Sequence, residues 1–89
     1  MARAETGHVR YRPAVLEALL AHGVRPGPET PPSLARNFVR DLYRYELKRL
    51  RGRLVNGDLA RPDYLPEVLK IKARYPILSF PLLLWTTEE

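Results

Sequence analysis

Val15, Leu16, Leu19 and Leu20 repeat at spacings of one, three and four, the signature of an apolar stripe on a helix. The spacing predicts a first helix over 13–22. Pro13 suits its first turn, where a missing N–H would be unbonded anyway. Gly23 then stops it as a left-handed cap. A longer periodic stretch predicts a second helix over 33–55, with Thr30 or Ser33 as its N-terminal cap. It ends at Asn56-Gly57-Asp58, a turn signal. At standard rise it would be roughly 34 Å long. Leu65, Val68, Leu69 and Ile71 predict a third helix over 63–74. Asp63 would cap it, with Pro66 and Glu67 in the first turn. Pro76 disfavours helix at Tyr75.

The remaining segments lack a period. Residues 1–12 read as a polar N-terminal arm. Residues 24–32 carry Pro26, Pro28, Pro31 and Pro32 and read as an extended, stiff connector. Residues 76–89 form an apolar C-terminal tail in which Pro81 excludes a central strand. The expected fold is all-α: about three helices around one long central helix, with the extended tail packed on it. The short link between the second and third helices makes them antiparallel neighbours.

Length and composition narrow the function. The chain has 89 residues, which fits one domain with one modest core. Scaffolds this small often gain stability by association. Hydrophobic residues at 45% and charged residues at 28% are globular values. The absence of cysteine excludes disulfides, zinc knuckles and thiol nucleophiles. The polar start shows no signal-peptide pattern, and 75–85 is too short and proline-broken to span a bilayer. A cytoplasmic protein without membrane insertion is expected.

The net charge of +5 comes mostly from arginine. At 100° per residue, Arg36, Arg40, Arg44, Lys48 and Arg51 fall along one side of the second helix. This row is a candidate polyanion-binding face, with Tyr43 and Tyr45 nearby. A solvated face, or pairing with Glu17, Glu29 or Glu67, is the more ordinary explanation, since basic rows are common. No helix-turn-helix, RNP strand or GXXG loop accompanies it.

The apolar side of the same helix changes direction along its length. Leu34, Phe38, Val39 and Leu42 share one stripe, and Tyr43, Leu47, Leu50 and Leu54 another. One short partner helix would not cover both. Either the first and third helices divide the work, or a second copy covers part of it. The tail residues Phe80, Leu82, Leu83, Leu84 and Trp85 would be costly to expose. They either fold back to complete the core or dock on a partner. Glu88 and Glu89 could then reach the basic row. Tyr43, Leu47, Leu50, Leu54, Phe80, Leu83 and Trp85 are therefore the candidate self-association or partner residues.

Catalytic signals are missing. Glu46 lies three and seven residues before Arg49 and Arg53, at ion-pair spacing for the first. His8 and His22 are isolated, and His22 suits a helix C-terminus. The glycines form no phosphate loop, and Ser33 and Ser79 lie in no nucleophile elbow. No catalytic residue, metal or cofactor is assigned. An enzyme acting on an anionic small molecule would need Glu46, a histidine and an arginine to converge. The expected function is a non-enzymatic protein-interaction or self-associating protein. Its partner would be a second copy, in a dimer, or another protein. Nucleic-acid binding through the basic row is the alternative.

Overall fold

The computed structural model describes residues 9–87. Its elements are α1 (Pro13–Leu20), α2 (Pro32–Val55) and α3 (Arg61–Ala73), followed by two 3-10 turns at Pro76–Ser79 and Leu82–Leu84. The described residues contain no strand. Tyr11 and Thr86 form one isolated antiparallel bridge. The all-α fold around a long central helix is as expected. The arm over residues 1–8, with His8, and the end at Glu88 and Glu89 lie outside the described residues.

Each helix carries proline at its first or second position and has no side-chain cap. Proline holds the helical φ and has no N–H to leave unbonded in the first turn. Pro31 takes the N-cap position of α2, so neither Thr30 nor Ser33 caps it. Instead, Thr30 Oγ1 accepts the Gly27 N–H at 2.9 Å and folds the connector. Helix α3 starts at Arg61, earlier than the spacing predicts. Asp63 thus sits inside the first turn, near the positive end of the helix, and Pro66 falls in the interior.

Two helix ends share one device. Gly23 and Gly57 take φ values of 77° and 82°, a region that costs other residues a Cβ clash. The next amide in each case reaches back into the last turn. Val24 N–H donates to Leu19 O at 3.0 Å, and Asp58 N–H donates to Arg53 O at 2.8 Å. This Schellman closure satisfies carbonyls that the helix leaves open. It also ends α1 at Leu20, so that His22 lies in the turn beyond it.

Helix α3 packs along α2, and the turn at Pro76–Ser79 touches both α1 and α2. The core holds Tyr11, Val15 and Leu19 from one end of the chain and Ile71, Tyr75, Ile77 and Trp85 from the other. Between them, α2 contributes Ala35, Val39 and Leu50. Trp85 is fully buried, and its Nε1 donates to Phe80 O at 3.1 Å. The Arg12 N–H donates to Trp85 O at 3.0 Å, and the Thr87 N–H donates to Arg10 O at 2.9 Å. These bonds strap the tail to the segment before α1.

The radius of gyration is 16.7 Å and the extents are 60 × 17 × 17 Å. A compact chain of this length would have a radius of about 12 Å. The shape is elongated, with α2 as its long element. Much apolar surface stays uncovered in consequence.

Candidate functional site

One face of α2 is built for the core and another is not. Ala35, Val39 and Leu50 point into the chain. Leu34, Phe38, Leu42 and Tyr45, spaced four, four and three apart, fall within about 80° of arc on a different side. They are 45%, 53%, 39% and 59% exposed. The spacing allows the stripe of Leu34, Phe38, Val39 and Leu42 to be covered either by the chain's own core or by a second copy. Of its members only Val39 is buried there, and Ala35 joins it. Ala35 and Val39 share one side of the helix, and the larger residues are turned away from it.

Leu34, Phe38 and Leu42 form one wall of an open groove of about 530 Å³. Val24, Arg25 and Pro26 of the connector form the opposite wall. The prolines and the Gly27–Thr30 bond stiffen that wall. Tyr45 extends the apolar face past the groove, with the Arg49 guanidinium 5.9 Å from its ring centre. That distance permits a cation–π contact.

The basic row runs round the helix away from this face, and only Arg44 and Lys48 come close to it. Arg36 and Arg40 are half-buried, whereas Arg44, Lys48 and Arg51 are exposed. The ion pairs among the described residues are Lys70–Glu67 and Arg74–Glu46. No cation of the row forms one, so Glu17, Glu29 and Glu67 do not neutralise it.

The structure scatters the other candidate residues. Leu50 and Trp85 are consumed by the chain's own core. Tyr43, Leu47 and Leu54 are half-buried. Tyr43 meets the Tyr75 ring edge-on, with centroids 5.3 Å apart. Phe80 and Leu83 remain on the surface, at 40% and 79% exposure.

Glu46 does not pair with Arg49 or Arg53. Its carboxylate accepts from Arg74 and from the Tyr75 hydroxyl, both at the end of α3. Tyr75 in turn stacks on His22, with centroids 4.2 Å apart and planes 10° from parallel. Glu46, an arginine and a histidine do approach one another, but through Tyr75. The imidazole lies flat on the ring instead of aiming a nitrogen at the carboxylate. Burial, then the hydrogen bond and the charge of Glu46, push the Tyr75 phenol up to about 12. The cluster holds the ends of α1 and α3 to the middle of α2. No group of His, Asp or Glu among the described residues has a metal-binding arrangement.

Comparison with protein-family models, curated proteins and solved structures finds no match for this chain. The functional reading therefore rests on the surface itself. The exposed stripe was hidden in the sequence because helical spacing identifies an apolar face but not what covers it.

No helix of the described residues is long and apolar enough to cross a membrane.

Proposed function

We propose that this chain is a non-enzymatic interaction protein that docks another polypeptide on the outer face of α2. One observation carries the reading: Leu34, Phe38, Leu42 and Tyr45 stand together in solvent on a helix whose adjoining side already supplies the core. Contiguous exposed apolar surface of this kind marks an interaction site. The cysteine-free sequence suits a cytoplasmic setting.

A photo-crosslinking residue at position 38, with one at the exposed position 55 as control, tests the face in cells. Adducts are expected at 38 and not at 55. Sedimentation equilibrium run beside it detects pairing between copies. A chain that stays monomeric at high concentration and yields no adduct at 38 would end the reading.

Polyanion binding is the second reading, favoured by a row of cations that form no ion pair among the described residues. Anisotropy of labelled RNA and DNA over a salt series decides it. Each counterion released contributes about 0.9 to the log–log slope on duplex DNA. Arg44→Glu with Lys48→Glu should abolish that binding. No binding at low salt would retire this reading.

A further inference from the structure

The face on α2 has a charge pattern as well as an apolar one, and together they select a partner. Arg44 and Lys48 border the stripe on the side where Asp41 also stands, Arg51 lies further round the helix, and Arg49 closes the C-terminal end of the stripe at Tyr45. Arg25 stands on the far wall of the groove, and Asp41, on the α2 wall, is the one acid in its lining. None of these five cations forms an ion pair among the described residues.

A second copy fits this pattern poorly. In an isologous antiparallel pair the same edge of each helix meets itself. Arg44 and Lys48 would then sit on the border shared with their own copies, between two chains that each carry +5. Like charges set against one another across an interface disfavour it. An apolar segment flanked by carboxylates meets the opposite situation. Its large side chains enter the groove beside Phe38, and its acids meet the arginines on both borders.

We propose that the groove of α2 receives an acidic amphipathic helix from a different protein. Apolar residues of that helix, at spacings of three and four, lie on Leu34, Phe38, Leu42 and Tyr45. Aspartates or glutamates on its flanks face Arg25 on one side and Arg44 and Lys48 on the other. The inference rests on the docking role proposed above and adds the chemical class of the partner.

The test uses the full chain and two synthetic peptides of about 14 residues, roughly 21 Å as helix, enough to span the stripe. Both carry leucines at helical spacing. One has glutamates on its flanks, and its twin has lysines. Anisotropy at physiological salt should show the acidic peptide binding at least about tenfold more tightly. Phe38→Ala and, separately, Tyr45→Ala should each weaken it by about tenfold, as buried aromatic anchors do. Both side chains are more than half exposed, so the urea midpoint should not move.

Equal binding of the two peptides would overturn the acidic class and leave the docking role standing. So would a concentration-dependent dimer, dissociated by Phe38→Glu, that binds neither peptide. Acidic-peptide binding that ignores Phe38→Ala would be capture by charge alone, and would overturn the proposal. A monomer that binds neither peptide and gives no crosslink at 38 would remove both readings.

Discussion

The imidazole of His22 lies flat on the ring of Tyr75, joining the turn after α1 to the end of α3. The Tyr75 hydroxyl continues the link by donating to Glu46 on α2. Removing the hydroxyl separates these roles. Tyr75→Phe should keep the stack and cost about 1.5–3 kcal/mol, the value of a hydrogen bond to a charged group. Tyr75→Ala removes a buried aromatic and should cost about 3–5 kcal/mol. Urea denaturation followed by circular dichroism checks the order of the two.

The same tyrosine makes the fold sensitive to alkali. Its proton is held to about pH 12, against 10.0 for the free side chain. The unfolded chain releases that proton at lower pH than the folded one. The resulting stability is complete below pH 10 and is lost as pH rises towards 12. Tyr11, also raised by burial, should act in the same direction. Thermal unfolding midpoints at pH 8, 10 and 11 should fall less steeply in Tyr75→Phe than in the parent chain.

Trp85 is the only tryptophan and is fully buried. Its emission should therefore be blue-shifted in the folded chain and move red on unfolding. Trp85→Ala should cost about 3–5 kcal/mol, a large share of the stability of a domain this small. Leu83→Ser, two residues earlier on an exposed side chain, should change stability by less than about 0.5 kcal/mol. Comparable losses for the two would mean that the tail does not hold the position described.

Gly57 gives a sharper local test. Nothing lies within 4 Å of where its Cβ would be, so a substitution there meets backbone strain and no clash. Gly57→Ala should cost about 1 kcal/mol, and Gly57→Asn less, because asparagine tolerates the left-handed region. Differential scanning calorimetry of the pair separates them.

The helices were legible because their stops are chemical. Gly23, the Asn56-Gly57-Asp58 turn and Pro76 act locally, whatever packs nearby. The helix starts were less legible. Thr30, Ser33 and Asp63 are good capping types, yet proline with its fixed φ took the opening positions. Partners distant in sequence could not be read at all. Glu46 had Arg49 within reach on its own helix, and the fold gave it Arg74, from 28 positions away, instead. The candidate site was half visible. The basic row stood out by spacing, but Phe38 and Val39 are adjacent apolar residues on one helix. Only the packing of distant segments decided which of them went inside.

The Tyr11–Thr86 bridge also bears on the order of assembly. Contacts between α2 and α3 span short stretches of chain and form early at little entropic cost. Closing Tyr11 on Thr86 draws a loop of about 75 residues shut, at roughly 4 kcal/mol of chain entropy. That closure must wait until α2 and α3 have shortened the distance between the ends. The tail is then the last part to lock and the first to release, and the amides of Arg12 and Thr87 should exchange with solvent well before those in the middle of α2.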